Sequence, residues 1–311
     1  FSNKLEYVED VNAFYTQYGV KVNKLSMLFG LRYEDSNIDI NFLKTNDFTT
    51  KKYGNLFPSA FFTYELSDKS SASISYSKRI QRPRGRFLNP FNNFSSNINI
   101  FVGNPDLDPA LTDAIDFGYI KRWEKLTLST SLYYNTTKDA FQFVKRDSGE
   151  TVNGITVIES SPINLGTEMR TGFEVNLNYS PYKWWKLNSN FNFFAVQTRG
   201  DYEYTTSKGE IIVQNFDFDA TSWSTRLTSK ITLPSKIDWQ TNLTYNGPQD
   251  NAQGKRLGIL AMNLGFSKDI LKDKATVAFN VSDVFNSRKM MSEIQIQRVE
   301  SYSEMQFRER Q

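Results

Sequence analysis

Hydrophobicity in this chain repeats at every second residue, segment after segment, and that period decides what the chain can fold into. From Ser71 to Ile80 serines occupy one side of a strand, while Ala72, Ile74, Tyr76 and Ile80 occupy the other. Between Leu126 and Thr136 the set Leu126, Leu128, Leu132 and Tyr134 alternates with Thr127, Ser129, Ser131, Tyr133 and Asn135. From Leu187 to Ala195 it is Leu187, Phe191 and Phe193 against Asn188, Asn190 and Asn192. Successive side chains of a strand point to opposite sides, so each segment has one apolar face and one wet face. What the apolar face touches then sets the fold class.

A soluble core is a poor answer. The 311 residues are 39% hydrophobic yet 15% aromatic, with 25 Phe and 16 Tyr, and no amphipathic helix is readable. No apolar run approaches the ~20 residues a membrane-spanning helix requires. A transmembrane β-barrel remains, because its strands need an apolar residue only at alternate positions. The formal net charge of +3 gives no argument for nucleic acid, and none is expected as a partner. With no cysteine there is no disulfide framework and no thiolate metal site. Phe1 follows no signal-peptide pattern, so the reading expects either a removed leader or a start within a longer protein.

Twelve strands are predicted: Val11 to Val22, Lys24 to Ile40, Leu56 to Leu66, Ser70 to Ile80, Ala114 to Arg122, Leu126 to Lys138, Met169 to Tyr179, Trp185 to Gln197, Ser222 to Leu233, Ile237 to Tyr245, Leu257 to Ser267 and Ala275 to about Gln297. Their connections alternate in length. Short turns fall at Asn23, Ser67 to Lys69, Trp123 to Lys125, Ser180 to Trp184, Pro234 to Lys236 and Lys268 to Lys274. Long segments run Asn41 to Asn55, Gln81 to Asp113, Asp139 to Glu168, Thr198 to Thr221 and Asn246 to Arg256. Short turns at one end and long loops at the other match an outer-membrane barrel, with turns in the periplasm and loops outside. Trp123, Trp184, Trp185 and Trp239 gather near the short-turn end, as an interfacial girdle would, with Trp223 at the other end. The expected fold is all-β, an antiparallel up-and-down transmembrane β-barrel, with residues 1–311 supplying part of it. Parity adds that the twelfth strand rises without a descending partner, so at least one strand is expected after Gln311 and an odd number before Phe1.

Several motifs resemble a known family. Arg82-Pro83, Leu88-Asn89-Pro90-Phe91, Gly103-Asn104-Pro105-Asp106-Leu107-Asp108-Pro109 and Phe117-Gly118-Tyr119 are similar to a stretch of TonB-dependent receptors, in the outer membrane protein beta-barrel family common in Bacteroidota. Gly30-Leu31-Arg32-Tyr33-Glu34, Gly172-Phe173-Glu174, Tyr245-Asn246-Gly247-Pro248 and Asn280-Val281-Ser282-Asp283-Val284-Phe285-Asn286 extend the likeness in order along nearly the whole chain. The resemblance implies a 22-strand barrel, of which about 12 strands are here, a plug before Phe1 and coupling to the TonB complex through that plug. Ala110 stands where the family usually has Glu. Arg82, Pro83, Asn89, Pro90, Phe91, Gly103, Asn104, Pro105, Leu107 and Pro109 are motif positions with an expected structural role.

The absence of histidine removes Ser-His-Asp and Cys-His catalysis, imidazole metal sites and axial haem ligation. No catalytic residue, metal or cofactor is expected. Glu34, Glu65, Asp116 and Glu174 read as charges lining the lumen. Lys78, Arg79, Arg82, Arg84 and Arg86 form the densest basic run. It either draws an anionic ligand into the mouth, or binds phosphates of outer-leaflet glycolipid, or pairs with loop acids. In Gly103 to Pro109 the prolines set the loop's return into a strand, and EF-hand spacing is missing. Loop aromatics Phe91, Phe94, Phe101, Tyr202, Tyr204, Phe216 and Phe218 are suited equally to stacking on a ligand and to packing the loops. The substrate-binding expectation therefore rests on Arg82, Arg84, Arg86, Phe91, Phe94, Phe101, Tyr202 and Tyr204.

The expected function is nutrient import by an outer-membrane receptor, with a siderophore, oligosaccharide or peptide as the small ligand. Membrane lipid and glycolipid, the TonB complex and a surface lipoprotein are the candidate partners. A passive porin and a β-rich surface adhesin are the alternatives.

Overall fold

The computed structural model describes residues 4–43, 47–91, 96–205, 209, 211–296 and 299–306. Twelve antiparallel strands each pair with the next in chain order. They are β1 (Leu5–Val22), β2 (Leu25–Phe42), β3 (Asp47–Ser67), β4 (Ser70–Gln81), β5 (Ala110–Arg122), β6 (Leu126–Val152), β7 (Ile155–Tyr182), β8 (Trp185–Arg199), β9 (Phe218–Leu233), β10 (Ile237–Asn246), β11 (Ile259–Ile270) and β12 (Ala275–Val281). Each predicted strand falls on one of these. Among the described residues no helix is long and apolar enough to cross a membrane.

Register turns the alternation of single strands into two continuous faces. One rung runs Val20, Met27, Phe62, Ile74, Phe117, Leu132, Phe173, Phe193 and Trp223, directly opposed from β1 to β9. The adjacent rung runs Lys21, Ser26, Thr63, Ser73, Gly118, Ser131, Glu174, Asn192 and Ser224. Because the side-chain period is two, a slip of one residue in any pair would put a polar group into the apolar row. Ile74 and Tyr76 thus share the lipid face, and Ser73 and Ser75 the lumen wall.

On β2 the membrane boundary is visible as an inversion of faces. Below Glu34 one face carries Leu25, Met27, Phe29, Leu31 and Tyr33, with Leu28 the one large apolar residue on the other. Above it the apolar residues are Ile38, Ile40 and Phe42, which lie on the opposite face and are buried, while Asp35, Asn37, Asp39 and Asn41 face out. The strand leaves hydrocarbon at that point, and the water outside demands polar residues where lipid demanded apolar ones. The membrane-crossing part of β2 therefore ends at Tyr33.

Several predicted extents differ from the structure: the first strand begins at Leu5 and not Val11, and within Thr198 to Thr221 the segments Asp201–Thr205 and Ile211–Asn215 pair as a hairpin of their own. The segments Asn41 to Asn55 and Asp139 to Glu168 are largely strand: β2 and β3 stay paired to Phe42 and Asp47, and β6 and β7 to Val152 and Ile155. Beyond the membrane the faces exchange character, as on β2, so the alternation that reveals a strand is interrupted. The last predicted strand also breaks early. β12 ends at Val281, and Asp283 takes a left-handed φ of 53°. Its carboxylate accepts the N–H groups of Ser287 and Arg288, at 3.1 and 2.9 Å, which fixes the exit. Residues 290–296 and 299–305 then form a separate four-stranded sheet with 249–251 and 254–256.

Candidate functional site

The long-loop end of the sheet is closed in by packed loops, and the first of them is tied down by Arg82. Its guanidinium donates to Glu34 Oε2 at 2.5 Å, Ser36 Oγ at 2.8 Å and Tyr53 Oη at 3.2 Å, and lies 3.2 Å from Glu9. Burial works against this charge, yet the bonds to Glu34 and Tyr53 outweigh it and raise the guanidinium's pKa above its ordinary value. Arg82 is therefore fully engaged with β1, β2 and β3. Arg84 and Arg86 are exposed, and Arg86 sits 4.7 Å from the centre of the Phe87 ring. Of the three predicted arginines, these two remain available to a ligand.

Behind Arg82 the motif residues build a rigid arch. Gly103 N–H donates to Asn89 O at 2.9 Å and Asn104 N–H to Phe87 O, so the two motif segments are joined by backbone. A Cβ on Gly103 would stand 2.4 Å from Asn89 O, which is why glycine is required. Leu88 and Leu107 enter a core with Ile38, Ile40 and Phe42, and Phe91 packs against it. Pro83 is buried, Pro90 half-buried, and the Asn89 side chain caps Phe91 N–H at 3.0 Å. Asn104 Oδ1 caps Asp106 N–H at 2.9 Å, turning Pro105 through the bend toward Pro109. Two residues that sequence reasoning missed hold the arch from outside. Asn164 accepts from Asp108 N–H and donates to the carbonyls of Asp108 and Asp139, and Lys51 donates to Leu107 O at 2.9 Å. They come from β7 and β3, and nothing local in the sequence connects them to the loop.

The extension of β6 and β7 stands between two apolar clusters. Asp139 and Gly166 both take positive φ, 54° and 40°, where the ladder passes from Lys138 opposite Thr167 to Ala140 opposite Leu165 without pairing them. Phe141 joins the first core, while Phe87, Phe101 and Phe143 form a ring cluster with centroids 5.2 to 6.3 Å apart. On the other side Val144, Ile163, Leu165 and Phe216 form a second core against which Tyr202 packs. Tyr202 stacks with Tyr204 at 5.7 Å, and the Arg146 guanidinium lies 5.7 Å from the Tyr204 ring while paired with Glu159. Phe91, Phe101 and Tyr202 are thus committed to loop packing, whereas Tyr204 stays at the rim of its hairpin. Phe94 lies outside the described residues.

A cleft opens beside the second core, between this hairpin and the separate sheet. It is lined by Gln142, Val144, Leu165, Phe216, Phe218, Gln253 and Glu293. Gln253 bridges the two walls: its Oε1 accepts Lys145 N–H and its Nε2 donates to Lys145 O, each at 2.7 Å. Burial pushes the Lys145 ammonium's pKa down. Below the mouth the lumen wall is rich in amides. Glu174 accepts from Asn176 and Asn190 at 2.8 and 2.7 Å, Tyr133 donates to Asn192 at 2.9 Å, and Thr228 to Asn242 at 2.9 Å. Among the described residues no group of three or more Asp or Glu side chains converges as a metal site would require.

This arrangement of apolar exterior, amide-lined wall and loop-packed mouth agrees with one family over its whole length: the outer membrane protein beta-barrel family matches residues 1–311. The chain belongs to that family. It is an outer-membrane barrel protein and not an enzyme. No curated protein matches it significantly. Among solved structures it is similar to the siderophore receptor PiuA from Acinetobacter baumannii, at 13% identity and a TM-score of 0.68, over 98% of this chain and 42% of that one. The unliganded ferric citrate transporter FecA matches at 13% and 0.63, over 99% and 45%, and the copper transporter OprC at 13% and 0.63, over 92% and 43%. The barrel chain thus spans less than half the length of these structures. At such identity the likeness is one of fold.

Proposed function

We propose that this chain forms part of the wall and mouth of a TonB-dependent outer-membrane transporter that imports a nutrient: a siderophore complex, an oligosaccharide or a peptide. The observation that carries the reading is the pair of rungs across β1 to β9, apolar outward and polar inward, capped by loops packed over the polar side. A wall of this kind would line a hydrophilic passage, and the exposed Arg84 and Arg86, with the half-buried Tyr204, would meet ligand at its entrance. The match of nearly all of this chain to part of the transporter barrels supports the same reading. A 22-strand barrel with a plug inside it is part of the proposal.

Uptake by cells carrying the full-length gene tests it. Accumulation of a labelled ligand should require both the protein and a functional TonB complex. Steady ion conductance of the purified protein in a planar bilayer, with solute entry independent of TonB, would replace this reading with the passive pore. A water-soluble monodisperse product without detergent would replace it with the adhesin.

A further inference from the structure

The short-turn end carries a feature that transport does not require. Every one of the six turns holds at least one lysine: Lys24, Lys69, Lys125, Lys183, Lys236 and Lys272. All six are exposed, and none has an ion-pair partner among the described residues, although lysines elsewhere on the sheet, such as Lys21, Lys51 and Lys230, do. With Lys274 added, the turns carry seven ammonium groups against the carboxylates of Asp68, Glu124 and Asp273. The excess is therefore cationic at one rim.

Position identifies what these charges meet. Adjacent strands lie about 4.8 Å apart, so successive turns follow one another at roughly 10 Å along the rim. Indoles occupy the same level. Trp184 stacks on Tyr182 at 5.1 Å and lies beside Trp185, while the Lys121 ammonium sits 5.9 Å from the Trp123 ring. Trp123 and Trp184 are both exposed. Indoles settle at the lipid headgroup level, where the ring is apolar and the N–H stays hydrated. Lysines in the same band would lie within reach of the phosphates of such a leaflet, and attraction of this kind acts only within a Debye length of the surface.

We infer that the six turns form a ring of headgroup sites for anionic phospholipid in the periplasmic leaflet, phosphatidylglycerol or a lipid of the same phosphate chemistry. The inference rests on the short turns facing the periplasm. Labelling a cysteine introduced at Asn23 from each side of the membrane checks that orientation separately, and ligand uptake checks transport separately.

Native mass spectrometry of the full-length protein, titrated with phosphatidylglycerol and with phosphatidylethanolamine, tests it. The variant with Lys24, Lys69, Lys125, Lys183, Lys236 and Lys272 each changed to Gln should bind phosphatidylglycerol at least tenfold more weakly, with phosphatidylethanolamine unaffected. Lys52→Gln with Lys138→Gln, exposed at the opposite end, should leave both affinities as they were. Equal binding by parent and six-turn variant overturns the inference. So does full competition by soluble glycerol phosphate, which marks a free-phosphate site, or preference for cell-wall peptides. If the six-turn variant does not fold, two variants each changing alternate turns take its place. A severalfold loss in both is expected, and no loss in either overturns the inference.

Discussion

Arg82 and Glu34, separated by 48 residues in sequence, meet through a guanidinium–carboxylate bond of 2.5 Å at the foot of the first loop. Arg32 holds the other Glu34 oxygen at 2.6 Å, so the carboxylate is saturated by two arginines. Without Arg82 the other Glu34 oxygen, Ser36 and Tyr53 lose their shared donor while Arg32 still neutralises the carboxylate, which costs about 1–3 kcal/mol. Arg82→Ala should therefore release residues 83–109 while the sheet below persists. Limited proteolysis would show new cuts within that loop at unchanged heat resistance of the barrel. Arg82→Lys should rescue little, because an ammonium cannot reproduce the fork that reaches Glu34, Ser36 and Tyr53 together.

The arch makes a second, steric prediction. Gly103→Ala places a methyl group against the carbonyl oxygens of Asn89 and Phe87, at 2.4 and 2.6 Å, and backbone cannot step aside as a flexible side chain would. Overpacking of this kind costs roughly 1–3 kcal/mol. Gly209→Ala, where nothing lies within 4 Å, is the control, since it meets only the penalty of φ +80°. Hydrogen exchange at Asn104 should rise in the first variant and stay unchanged in the second.

How much of this was legible in the sequence depends on what surrounds each segment. Inside the bilayer each strand answers to lipid on one side and water on the other, so Leu126 to Thr136 or Ser71 to Ile80 alternate openly and their strands can be read. Past Glu34 the constraint changes, and the faces of β2 exchange character. The same change hid the extension of β6 and β7, where Phe141 and Val144 are both packed but on opposite sides. Basic and aromatic loop residues were visible as types, but their employment was not. Whether Arg82 binds a ligand or Glu34, and whether Phe101 stacks on a sugar or on Phe143, depends on strands brought together only by register.

The assignment of faces is itself testable at one pair of neighbours. Ile74 lies in the apolar rung and Ser73 in the polar one, facing Thr63 and Gly118. A charge on the lipid face near mid-bilayer costs about 2–4 kcal/mol, whereas one in the lumen stays hydrated. Ile74→Arg should lower the yield of folded protein in the outer membrane, while Ser73→Lys should leave it near the parent level. Equal yields from the two substitutions would mean that the faces are exchanged or that neither meets lipid.

Gln253 joins two parts of the mouth that share no main sheet. Its amide spans the peptide groups on either side of Lys145, and the side chain is buried. Gln253→Ala leaves the part-buried N–H and carbonyl of Lys145 without their side-chain partner, at about 1 kcal/mol for each hydrogen bond lost. Gln253→Glu keeps the acceptor for the N–H but turns a carboxylate oxygen toward Lys145 O, so it should be no better tolerated. In both variants the separate sheet should swing away from the β6–β7 hairpin and widen the cleft at Phe216 and Glu293. Spin labels placed at Ser148 and Ser303 would report this as a broader distance distribution than in the parent, while Asp250→Asn, exposed in the same segment, should leave the distribution narrow.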